Sequence, residues 1–194
     1  MKFSPTSVFA GHTRAIRHYF FAVACILTLA GCAFTDGGSQ MNAAQSIDTI
    51  EEAKAESVRI QRELVELSRG LRVAPQASQP APIGERERTL LNCDSDNRYY
   101  QYPGVTSVAF TDAESVLEFH KRIHEHLASS PDWNEDESSS ENDDRISSAF
   151  THRNGFSVSI DARTEPDNLR EVIMAFSPCV ELPHDFPRAG GPRY

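Results

Sequence analysis

The stretch Arg145–Ser177, RISSAFTHRNGFSVSIDARTEPDNLREVIMAFS, decides the fold. It holds three strand-length runs separated by two turn signals. Arg145–His152 and Phe156–Ala162 flank Asn154-Gly155, the strongest short hairpin signal in the chain. Phe156, Val158 and Ile160 alternate with Ser157, Ser159 and Asp161, so one side of that strand is buried and the other wet. Glu165-Pro166-Asp167-Asn168 turns the chain again. Leu169–Ser177 is the third run, with Val172, Met174 and Phe176 sharing one side, and Pro178 stops it.

Working outward, the period changes. Residues from Asp112 to about Ser129 read as a helix capped by Thr111 or Asp112 and closed before Pro131. The polar run Asp132–Asp144 reads as a mobile acidic loop with a brief strand at Trp133. Upstream, Thr89–Cys93 is a short strand. Tyr99–Tyr102 and Val105–Phe110 are two more, bracketing Pro103-Gly104 as a turn. Residues 73–84 hold three prolines and no charge, the composition of a linker.

Ile47–Leu71 is the other helix, with Ser46 as N-cap and Gly70 as stop. Its apolar face gathers Ile47, Ile50, Val58, Ile60, Leu64, Val65, Leu67 and Leu71. Arg59/Glu63 and Arg62/Glu66 stand at i,i+4 on the polar face. Beyond Leu182, three prolines and Gly190-Gly191 predict a disordered tail over 183–194. The resulting class is α+β, with two helices packed on one face of a mainly antiparallel sheet and a single domain over residues 47–182.

The N-terminus is of another kind. Lys2, Arg14 and Arg17 precede an apolar run from Phe20 to Ala30, and no acidic residue occurs before Asp36. The run is shorter than the roughly 20 apolar residues a bilayer-crossing helix needs, and it fits the core of a signal peptide over residues 1–31. It closes with Leu29-Ala30-Gly31-Cys32. This resembles the lipobox of bacterial lipoproteins, in which small residues admit the backbone to the peptidase cleft and the cysteine sulfur carries a diacylglycerol. Cys32 is therefore the expected lipidation site. Residues 32–46 form a flexible tether with a reach of roughly 20 Å.

Of four cysteines, Cys25 falls in the leader and Cys32 takes the lipid, which leaves Cys93 and Cys179. In a compartment where disulfides persist, an even pair without a CxxC motif predicts a Cys93–Cys179 bond.

Removing residues 1–31 takes away three basic residues and no acidic one, which moves the formal charge from −9 to −12. Such a surface is repelled by nucleic acid and by anionic headgroups, so no nucleic-acid partner is expected and acyl chains must hold the protein to the membrane.

Chemistry-bearing patterns are sparse. His120, His124 and His126 share the second helix, and His120/His124 have the i,i+4 spacing of a metal pair. No HExxH surrounds them, and His120 falls among Val116, Leu117, Ile123 and Leu127, as a part-buried residue with one hydrogen-bond partner would. Asp132, Asn134, Asp136, Ser138, Ser140 and Asp143 occupy ligand positions of an EF-hand frame. Glu137 replaces the glycine that frame needs, so a solvated loop is the better reading. Neither a GxSxG elbow nor a serine followed three residues later by lysine occurs. Trp133, Tyr99, Tyr100 and Tyr102 could offer a stacking surface, though such aromatics more often pack. No cofactor, no metal and no catalytic residue is expected.

The lipobox, the EEAKAESVRIQREL stretch of the first helix, LLNCD at 90–94 and AFSPCVELP at 175–183 together resemble the LppA-like family of small actinobacterial lipoproteins. The resemblance covers most of the chain after Cys32. It implies a lipid on Cys32 and a Cys93–Cys179 bridge, and it implies no known activity. The acidic stretch before Arg145 departs from the family pattern. The expected function is a non-enzymatic, lipid-anchored envelope module on the extracytoplasmic face of the cell membrane, binding an envelope protein. The alternative is a carrier holding a lipid or small molecule between sheet and helices.

Overall fold

A computed structural model describes residues 47–75, 79, 82–137, 140–142, 145–187 and 191–194. The leader, Cys32 and the tether lie outside the described residues. The elements are α1 (Ile50–Glu66), β1 (Leu91–Asn92), β2 (Tyr99–Gln101), β3 (Pro103–Ala109), α2 (Ala113–Ala128), β4 (Trp133–Glu135), β5 (Ser140–Asn142), β6 (Arg145–His152), β7 (Ser157–Arg163), β8 (Arg170–Phe176) and β9 (Val180–Glu181). The class is α+β.

The strands divide into two antiparallel sheets. The larger runs β3-β8-β7-β6-β4, with β5 also on β6, and the smaller runs β1-β2-β9. The expected hairpin forms between β6 and β7: Gly155 takes φ +84°, and the Gly155 N–H donates to His152 O at 2.8 Å. Both helices lie on one face of the larger sheet, over Phe150, Val158, Ile160, Ile173 and Ala175. That face corrects the reading of β8. Its buried side is Glu171, Ile173 and Ala175, while Val172, Met174 and Phe176 sit half-exposed on the far face. An alternation of apolar residues on both sides leaves the inward side undetermined until the partners are known.

Pro103-Gly104 is not a turn. The two residues open β3, paired with Phe176 and Ala175. Pro103 is tolerated as the first residue of an edge strand, and Gly104 answers to packing. A Cβ there would lie 2.2 Å from Ser57 Oγ and 2.2 Å from Gln61 Nε2, both on the buried side of α1. Ser57 Oγ donates to Ala175 O at 2.6 Å, which stitches the helix to the sheet through this gap. β2 and β3 are thus one strand that changes sheets at Tyr102. Opposite it, the chain between β8 and β9 holds one extra residue, a bulge. Ser177 Oγ accepts the Tyr102 N–H at 2.9 Å, and Gln101 Nε2 donates to Ser177 O at 2.7 Å, so the corner keeps its hydrogen bonds.

Helix α1 begins later than expected, at Ile50, because Thr49 and Glu52 form a capping box: Thr49 Oγ1 accepts from Glu52 N–H and Glu52 Oε2 from Thr49 N–H, each at 3.2 Å. It ends at Glu66, and i→i+3 bonds then carry the chain to Gly70, which adopts φ +80°. Arg59 pairs with Glu63 as expected, but Arg62 donates to Ile83 O and Glu66 pairs with Arg69. Asp112, not Thr111, caps α2.

The tail beyond Leu182 is not frayed where it is described. Arg88 and Tyr194 exchange two backbone bonds, and Leu90 N–H donates to Pro192 O at 2.8 Å. Phe186 and Tyr194 pack on a second core of Ile50, Ala53, Leu90, Tyr100, Tyr102, Val180 and Leu182. Pairing with a segment a hundred positions earlier overrides a composition rich in Pro and Gly. Cys93 and Cys179 are bonded, tying the loop after β1 to the approach to β9.

Candidate functional site

Each histidine of α2 faces a carboxylate on a different element. His120 Nδ1 lies 3.2 Å from Glu171 Oε2 on β8, His124 Nε2 3.1 Å from Glu135 Oε1 on β4, and His126 Nε2 3.1 Å from Glu63 Oε1 on α1. The i,i+4 pair therefore diverges instead of converging on one ion. Among the described residues, no three His, Cys, Asp or Glu side chains gather as a metal-ligand set. His120 is a buried residue with a single partner, as its helical position predicted. Glu171 is fully buried, and that burial pushes its carboxyl above the usual range, with the His120 contact offsetting the effect only in part.

Catalysis by the α2 histidines would require His120 or His124 to line a cleft beside a carboxylate. His126 lines one instead. A cavity of about 190 Å³ opens between α1, the end of α2 and the β6–β7 hairpin, walled by Glu56, Arg59, Glu63, His126, Asp132, Trp133 and His152 over a floor of Ile60, Leu64, Leu127 and Phe156. Its acids are already paired: Glu56 and Glu63 with Arg59, and Asp132 with Arg153. His152 Nδ1 accepts the Asn154 N–H at 3.1 Å, which places the proton of the neutral ring on Nε2. Burial holds the His152 imidazole below its ordinary range, against the pull of Asp132. Trp133 meets the same ring edge-on at 4.7 Å. These contacts build a rigid corner; nothing in them aligns a nucleophile with a base. His126 was visible in the sequence, but its partner Glu63 lies on another helix, and no local pattern pairs them.

The aromatic surface does not assemble. Tyr100 and Tyr102 are core residues beside the smaller sheet, whereas Trp133 is on the larger one. The described EF-hand-frame positions of the acidic stretch have partners within the fold. Asn134 lies within β4, Asp132 is held by Arg153, and the Asp136 carboxylate accepts from Thr151 Oγ1 at 3.2 Å. Ser138 and Asp143 are outside the described residues. A larger groove, about 760 Å³, runs between the turn at Gly70–Arg72 and the outer side of α2, where Leu117 is exposed.

Among the described residues, the far face of the larger sheet carries no helix. Its side chains grade from Val105, Val172, Met174 and Phe176 on β3 and β8, through serines on β7 and β6, to a cluster of arginines at one end. The exposed edge of β3 is covered by the preceding loop: Arg88 donates to Val105 O at 2.7 Å and Gln79 to Ala109 O at 3.0 Å.

Fold and site define a disulfide-closed α+β domain with two helices over one face of the larger sheet and no described helix on the other. Comparison with protein-family models, curated proteins and solved structures finds no match.

Proposed function

We propose that this chain is an acylated lipoprotein of the cell envelope, held at the membrane through Cys32, whose domain binds an envelope protein without catalysing a reaction. The observation that carries this reading is the Cys93–Cys179 bridge in a chain that begins with a basic, apolar leader ending in Leu-Ala-Gly-Cys. Such bridges persist outside the reducing cytosol, where a leader of this kind would deliver the domain. No described helix is long and apolar enough to cross a membrane, and in this reading the acyl chains on Cys32 supply the attachment. The resemblance to LppA-like lipoproteins points the same way.

A binding module is favoured over a carrier because the space between sheet and helices is occupied. Phe119, Ile123, Phe150, Ile160 and Ile173 fill it, each fully buried. The experiment is crosslinking in intact cells followed by affinity capture, comparing the native protein with Cys32→Ala. A defined envelope protein crosslinked only by the anchored form is the expected result. Equal capture by both forms, or none by either, counts against the reading, and a co-purifying lipid in the native sample would favour the carrier.

A further inference from the structure

One end of the far face of the larger sheet carries a charge arrangement that the fold does not explain. Arg145 on β6 stands directly opposite Arg163 on β7, and Arg163 directly opposite Arg170 on β8. Residues in register leave the sheet on the same face, so three guanidiniums form a row across adjacent strands. Like charges directly opposite one another destabilise a sheet. Here they occur on a chain whose formal charge is −9.

Among the described residues one carboxylate answers them. Asp161, 2 % exposed beneath the row, accepts from Arg145 Nε at 2.6 Å and from Arg163 Nη2 at 3.1 Å. Counting the row and Asp161 alone, two positive charges are left over. Asp161 also fixes two guanidiniums by their inner edges: the Nη groups of Arg145 and Nη1 of Arg163 are not used in these bonds. Arg170 has no ion pair among the described residues, and Glu165 and Asp167 in the connecting turn bond none of the three. Two held forks and a third with no ion pair stand on adjacent strands with Cβ atoms about 5 Å apart, close enough for long guanidinium side chains to donate together to the oxygens of one tetrahedral oxyanion.

We propose that the Arg145–Arg163–Arg170 row is a binding site for a phosphate group, carried either by a lipid headgroup or by a soluble phosphate compound. Asp161 is a positioning residue in this site: it orients two arginines and contacts no ligand. The site does not depend on the lipid anchor or on a protein partner.

The test is titration calorimetry of the intact protein in detergent at low salt, first with inorganic phosphate and then with short-chain phosphatidylglycerol. Arg170→Gln is the informative variant, because that side chain has no partner to lose and its removal leaves the fold intact. Lys121→Gln, an exposed cation on α2, is the charge-matched control. The site predicts phosphate binding with Kd at or below about 1 mM, weakened about tenfold by Arg170→Gln and unchanged by Lys121→Gln, with equal melting temperatures in the absence of phosphate. Phosphatidylglycerol competing with phosphate assigns the site to headgroups; phosphate binding without such competition assigns it to soluble phosphates. Absence of binding up to about 10 mM phosphate, or equal affinity of wild type and Arg170→Gln, overturns the proposal.

Discussion

Replacing Cys93 and Cys179 by serine opens a covalent loop spanning 86 residues. In the chain-entropy model a loop of that length removes about 15 cal/mol/K from the unfolded chain, or about 4.6 kcal/mol of stabilisation near 25 °C. With a urea slope of about 2 kcal/mol/M, the unfolding midpoint falls by about 2 M. The structure also says where the loss begins. The smaller sheet has strands of two, three and two residues, and the bridge joins the segments flanking its two outer strands. Strands that short do not hold by pairing alone. The amides of Leu90, Leu182 and Tyr194 should therefore exchange with solvent much faster in the double serine variant, while β7 amides keep most of their protection. Urea titration followed by circular dichroism gives the first number and hydrogen exchange the second. A midpoint unmoved by the double substitution, or uniform loss of protection across both sheets, would refute the reasoning. So would two alkylatable thiols in the unreduced protein.

Gly104→Ala places a methyl 2.2 Å from two buried polar atoms of α1 and 2.9 Å from Ala175 O; a loss of about 1–3 kcal/mol is expected by thermal denaturation, and a variant as stable as wild type would show that α1 is not seated as described. Glu171→Gln tests the buried dyad. Burial raises the folded-state pKa of Glu171, so above the ordinary carboxylate range the unfolded state ionises more readily and wild type loses stability as pH rises toward the raised value. Glutamine cannot ionise, so the variant should gain on wild type as pH climbs from about 4.5 and match it below. A pH-independent difference in denaturant midpoints would contradict that assignment.

The strands after Arg145 were legible because Ser/apolar alternation and Asn-Gly are local signals, and so was the second helix from its cap to Pro131. Most of what failed depends on a distant partner, although the Cys93–Cys179 bridge, 86 positions apart, followed from the cysteine count. Pro103-Gly104 reads as a turn by residue type, yet Gly104 is there for Ser57 and Gln61, more than forty positions away. Those two polar residues in turn look like solvent-facing positions on α1. Val172, Met174 and Phe176 are as apolar as the set that is buried, so β8 could be read either way. The chain end looks disordered by composition and is docked by pairing with Arg88–Leu90. The same applies to function: the arginine row exists only once the registers of β6, β7 and β8 are known, and His126 meets Glu63 only through helix packing.

Lipidation of Cys32 is tested most directly on the N-terminal peptide of protein isolated from membranes of its native host. Mass spectrometry should find a chain beginning at Cys32 and carrying diacylglycerol, with Cys32→Ala protein retaining its leader and incorporating no labelled palmitate. An unmodified Cys32, or cleavage elsewhere with the protein released, would contradict the account.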